Sequence, residues 1–141
     1  MLWHRSIKGS DMIFLGLRTV IYPAPELQVS KTWFSALLGV GPYFDEPFYV
    51  GFNVAGYELG LDPNADQTAG PTTYWGVADA DHALTQLLKA GALPLGDGVR
   101  DVGDGIRVAT VQEPGGSVLG VIENPHFELA PNAGSAEGPG R

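Results

Sequence analysis

The chain has no cysteine. That excludes a disulfide framework, a thiolate metal site and a cysteine nucleophile together. Basic residues are scarce, with 8 Lys and Arg against 16 Asp and Glu and a formal net charge of −8. A surface so biased repels phosphate backbones, so nucleic acid is not the expected partner. The acidity is scattered in short pairs such as Asp45-Glu46, and Asp79 with Asp81, which reads as a solvated face. Long hydrophobic runs are missing too. The apolar stretches are strand-sized and fall short of the roughly 20 residues a membrane helix needs. Histidine is limited to His4, His82 and His126, none set beside a nucleophile in a Ser-His-Asp pattern. Nothing calls for an oxidising compartment, and the expected location is cytoplasmic.

A length of 141 residues suits one compact unit or two small fused modules. Residues 1–12 read as a polar, irregular leader, since the brief apolar stretch from Met12 to Leu17 is too weak for a secretory signal. Residues 128–141 are rich in Gly, Pro and Ala and read as a disordered tail. Between them one pattern is written twice. Leu17 to Tyr22 reads as a strand. A helix follows, opened near Pro25, striped by Phe34, Leu37 and Leu38, and closed by Gly39. Then come a short strand at Pro42 to Phe44, a strand from Phe48 to Val54, a tight Ala55-Gly56 turn, and a strand from Tyr57 to Leu61.

The second half repeats the layout. Thr73 to Val77 reads as a strand. Asp79 caps a helix striped by Ala80, Ala83, Leu84, Leu87 and Leu88, which Gly91 ends. Three strands are expected after it: Leu93 to Leu95, Ile106 to Gln112, and Val118 to Glu123. Asp97-Gly98 and Gly103-Asp104-Gly105 read as loops whose role is turn formation, because they lack the lysine and spacing of a phosphate-binding loop. The expected boundaries are a first module at 13–62, a linker at 63–71 and a second module at 72–127.

Three stretches carry a family resemblance. Ala24 to Leu27 followed by Trp33 to Val40, then Val77-Ala78-Asp79 before the Ala/Leu helix, then Glu113 to Gly120, occur in order across the folded region. They resemble the vicinal oxygen chelate superfamily, which includes glyoxalase I, bleomycin-resistance proteins and extradiol dioxygenases. The hairpin from Tyr49 to Leu61 is similar to that of its small bacterial members. The resemblance implies an α+β fold of two tandem β-α-β-β-β modules whose eight strands form a cupped mixed sheet. It also implies a homodimer.

In metal-dependent members four inward ligands come from the first and last strands of each module. By the resemblance these positions fall on Thr19, Glu58, Thr72 and Gly120, and a slip of one residue would substitute Arg18 or Thr73. Only Glu58 is a strong ligand for a divalent cation, which needs several deprotonated donors. The expectation is therefore no metal and no cofactor. Alternation then places Gly56 and Gly60 beside Glu58, Val118 and Ile122 beside Gly120, and Tyr74 and Gly76 beside Thr72. The glycines leave room, and the nearby rings suit an apolar or aromatic small molecule. The expected ligand-binding set is Thr19, Glu58, Thr72, Tyr74, Trp75, Tyr57, Phe48, Arg107 and Gly120, most of the other rings being core.

Glu58 admits several readings. In a half-dry cup its pKa would rise, making it a candidate general base. It could also bind a cationic or hydroxylated ligand, pair with Arg107, or be a silent relic. Two functions follow. One is a binder that sequesters an apolar or aromatic ligand in a metal-free cup. The other is a metal-independent or weakly metal-dependent isomerase or lyase with Glu58 as catalytic base. Beside these two stands a duller option, a subunit whose role is interaction.

Overall fold

The structure, a computed structural model, describes residues 13–129. The expectations for residues 1–12 and for the tail beyond Leu129 lie outside it. The elements in chain order are β1 (Phe14–Pro23), α1 (Leu27–Leu38), β2 (Phe44–Glu46), β3 (Tyr49–Val54) and β4 (Tyr57–Asp62). A single 3-10 turn at Gln67–Ala69 leads to β5 (Thr72–Val77), α2 (Ala80–Lys89), β6 (Leu93–Gly103), β7 (Ile106–Gln112) and β8 (Val118–Glu123). The order β-α-β-β-β thus occurs twice. The eight strands form one mixed sheet in the order β2-β3-β4-β1-β5-β8-β7-β6. Among the described residues no helix is long and apolar enough to cross a membrane.

The chain forms two compact units. One holds Leu17–Tyr74 with the segment from Pro125; the other holds Trp75–Asn124 with the β1 residues before Leu17. In the first, β4 pairs antiparallel with β3 and parallel with β1, so Glu58 lies beside both Asn53 and Thr19. Its core is Ala24, Val50, Phe52 and Leu61, packed by Leu27, Phe34 and Leu38 of α1. Complete burial of side chains such as Phe52 and Leu61 contributes roughly 1.5–3 kcal/mol each. α1 ends at Gly39, whose φ of 75° is open to glycine at little steric cost and whose N–H donates to the Ser35 carbonyl. Pro25 lies just outside the helix, with Glu26 in the cap position. The expected stripe is corrected at one place. Leu37 is 63% exposed and shares an outward row, spaced by four, with Val29 and Trp33.

In the second unit Val77, Ala80, Ala83, Ala109 and Val121 form the core, with Phe14, Leu84 and Leu87 packed against it. Asp79 caps α2 as expected, accepting from the His82 N–H at 3.1 Å. A second cap comes from far away: Glu123 Oε1 accepts the Ala80 N–H at 2.9 Å. β6 is much longer than expected. Its pairing with β7 shifts register between Leu95 and Arg100, so Asp97-Gly98 lies in a bulge inside a strand and is not a loop between elements. Gly103-Asp104-Gly105 does make the turn into β7, with positive φ at all three residues.

A carboxylate held by two tyrosines

In the Leu17–Tyr74 unit, strand alternation decides which side chains α1 covers. Val50, Phe52, Leu59 and Leu61 point into the α1 core. Tyr49, Gly51, Asn53, Glu58 and Gly60 therefore share the opposite face, which α1 leaves open. Thr19 joins them as the in-register neighbour of Glu58, and it is buried. On β5, Val77 points into the α2 core, so Thr72 and Tyr74 take the other face. Thr19, Glu58, Thr72 and Tyr74 are thus four expected site residues within one unit.

The centre of this face is Glu58. Tyr43 Oη donates to its Oε1, and Tyr49 Oη donates to its Oε2 at 2.5 Å. Two glycines make the arrangement possible. A Cβ on Gly60 would sit 2.0 Å from Tyr49 Oη, and one on Gly51 would sit 3.2 Å from Glu58 Oε2 and 3.3 Å from each tyrosine ring. The Tyr49 ring lies in the space that a side chain at position 60 would fill.

Both hydroxyls are held protonated. For Tyr43, burial, then the hydrogen bond to Glu58, then its charge, raises the pKa well above the ordinary tyrosine value. Tyr43 as a whole is 63% exposed, so the withdrawn part is its hydroxyl end. For Tyr49, burial again leads, followed by the charge of Glu58, the hydrogen bond to it, and the neighbouring Tyr43 and Tyr74. The pair therefore act as neutral donors to a carboxylate.

Aromatic surface continues from the clamp. The Phe44 ring lies 6.0 Å from Phe48 and 6.1 Å from Tyr49, and Phe48 is 59% exposed. Other expected residues lie elsewhere. Tyr57 occupies the face opposite Glu58 and packs 6.1 Å from Phe127, whose ring also carries the Arg18 guanidinium at 3.7 Å. Trp75 shares the face of Val77 and stacks on Phe14 at 4.8 Å. Arg107 does not meet Glu58. It pairs with Asp81 at 2.7 Å and approaches Glu123 at 3.7 Å, on the α2 side of β7. Gly120 is buried in the Trp75–Asn124 unit, in register with Thr110. A shallow depression on the outer side of α1, beside Val29 and Trp33, has no titratable side chain in its lining.

Tyr43, Tyr49 and Gly51 were not among the expected site residues. The signal for two of them was present: counting back from Glu58 through the Ala55-Gly56 turn puts Asn53, Gly51 and Tyr49 on its face.

No protein-family model matches the chain, and no curated protein does. Solved structures do. Streptomyces coelicolor methylmalonyl-CoA epimerase superposes with a TM-score of 0.63 at 16% identity, over 82% of this chain and 98% of its own. Mycobacterium tuberculosis methylmalonyl-CoA epimerase gives 0.60 at 17% identity, over 86% and 95%. A glyoxalase/bleomycin resistance protein/dioxygenase superfamily member from Vibrio splendidus 12B01 gives 0.57 at 17% identity, over 75% and 97%. At these identities the likeness is one of architecture. With its two β-α-β-β-β modules and eight-stranded mixed sheet, the chain has the glyoxalase-like fold of the vicinal oxygen chelate proteins.

Proposed function

We propose that this chain is a small-molecule-binding protein of the glyoxalase/bleomycin-resistance type. In this reading it sequesters an apolar or aromatic ligand on the open face of its Leu17–Tyr74 unit, without a metal ion. One observation carries it: each oxygen of Glu58 already accepts a tyrosine hydroxyl. A general base must offer a lone pair to the proton it removes. Two of the carboxylate's roughly four lone-pair sites are taken by hydroxyls, which holds it in place as an anchor and narrows its access to a substrate proton. The donor set does not suit a divalent cation either. At the four positions that the fold resemblance makes ligands stand Thr19, Glu58, Thr72 and Gly120, which supply one carboxylate between them. Among the described residues no three His, Asp or Glu side chains converge elsewhere. The exposed rings of Tyr43, Phe44 and Phe48 around the anchor offer the apolar contact that a small-molecule site needs.

The isomerase or lyase alternative is supported only by the fold, and a fold hosts many chemistries. A thermal-shift screen of aromatic compounds separates the two readings. Compounds that bind the folded state should raise its melting temperature. They should also move the amide resonances of Tyr49, Gly51 and Gly60, and be recovered unchanged after long incubation. Conversion of a bound compound by the native chain, lost in Glu58→Gln, would establish the enzyme instead.

A further inference from the structure

Glu58 brings a negative charge to the open face that, among the described residues, no lysine or arginine of its unit answers. Leu17–Tyr74 contains two such cations, Arg18 and Lys31. Arg18 lies over the Phe127 ring and donates to the Leu17 carbonyl at 3.2 Å. Lys31 pairs with Asp45 at 2.7 Å. Both are committed away from Glu58. Around the carboxylate stand the rings of Tyr43 and Tyr49, both within 3.3 Å of the Cβ position that Gly51 leaves empty, and the rings of Phe44 and Phe48 adjoin Tyr49.

From this geometry we infer that the face recognises an organic cation, a quaternary ammonium group carried on an apolar body. The inference rests on the sequestration reading and names its ligand class. The chemistry selects among cations. Ring faces and a nearby carboxylate both attract positive charge. The two tyrosine hydroxyls already take about half of the carboxylate's roughly four lone-pair sites, so the face offers charge and aromatic surface with few free acceptors. A primary ammonium is strongly hydrated and needs acceptors to replace its water. A quaternary ammonium has no N–H and needs none. A neutral ligand of the same shape gains the apolar contact alone. The formal net charge of −8 favours encounter with a cation in the same sense.

The test is calorimetric titration of the full chain with three benzyl probes: benzyltrimethylammonium, its carbon isostere neopentylbenzene, and the smaller primary cation benzylammonium. Benzyltrimethylammonium should bind about ten-fold more tightly than neopentylbenzene and more tightly than benzylammonium. Glu58→Gln, with its thermal unfolding checked against the native chain, should close the gap between the cation and its isostere. If that variant does not fold, raising NaCl on the native chain reads the charge of Glu58 and of the surrounding surface together, and screening should weaken the cation relative to the isostere. Equal affinities for the cation and its isostere would overturn the cation assignment and leave apolar sequestration standing. Binding of none of the three would count against both. Benzylammonium as the tightest probe would show that Glu58 keeps acceptor sites for a ligand N–H, and would overturn the quaternary assignment.

Discussion

Tyr49 depends on an absent side chain. Its ring occupies the space above Gly60, and any Cβ there would lie within 2.0 Å of its hydroxyl, so the clamp on Glu58 is set by the backbone at position 60. The clamp makes a claim about pH. Tyr43 and Tyr49 have folded pKa values raised above the ordinary 10.0, with burial as the leading cause for each. A raised value means that the unfolded chain releases these protons first. Their contribution to stability is fully present below about pH 10 and is lost progressively as the pH climbs toward the folded values. Urea midpoints measured from pH 8 to 11 should therefore hold steady and then fall. Tyr49→Phe should cost about 1–2 kcal/mol at pH 8, from the lost hydrogen bond to a carboxylate, and should flatten the alkaline fall. A fall as steep as in the native chain would show that Tyr49 is not held neutral in the folded chain.

The β3–β4 hairpin shows how much of the site was legible and where legibility stopped. Its Ala55-Gly56 turn is visible in the sequence, and once Glu58 is set on one face, alternation orders every residue back to Tyr49. A one-residue difference is all that separates Tyr57 from Glu58 and Trp75 from Tyr74, so an aromatic near the site by sequence lies on the other face of the sheet. The bonds from Tyr43 and Tyr49 were not legible, because they depend on which way two long side chains turn. The loop-like composition of Gly96, Asp97 and Gly98 hides the length of β6; the strand carries them as a bulge and continues to Gly103. The hairpin turn itself is poorly served by its first residue. Ala55 has a φ of 55° and Gly56 one of 97°, and Asn53 Oδ1 steadies the turn by accepting the Gly56 N–H at 2.9 Å. An L-residue with a Cβ pays about 1–2 kcal/mol in that region, and asparagine tolerates it best after glycine. Ala55→Asn should stabilise the chain by about 0.5–1 kcal/mol in urea denaturation, with ligand affinity unchanged. No gain would mean that the turn relaxes its backbone in solution.

Phe14 illustrates how the two halves of the written pattern differ from the two compact units. By order along the chain it opens the first module. By contact it belongs with Trp75–Asn124, where it stacks on Trp75 with rings 33° apart and packs against the Val77, Ala83 and Val121 core. The strand it begins continues past Gly16 into the unit that carries Glu58. This placement explains why β1 starts three residues before the strand expected from Leu17: Phe14, like Ile13 before it, has a core to enter, while Leu15 between Phe14 and Gly16 stays exposed. Removing the ring should therefore be felt far along the sequence. Phe14 is only partly buried, so Phe14→Ala should cost about 2 kcal/mol, below the range for a fully buried Phe. Native-state hydrogen exchange should locate the loss. Amides of α2 and β8 should exchange faster, while those of β3 and β4, which hold Tyr49 and Glu58, should keep their native protection. Faster exchange in β3 and β4 with α2 unaffected would return Phe14 to the module in which the sequence order places it.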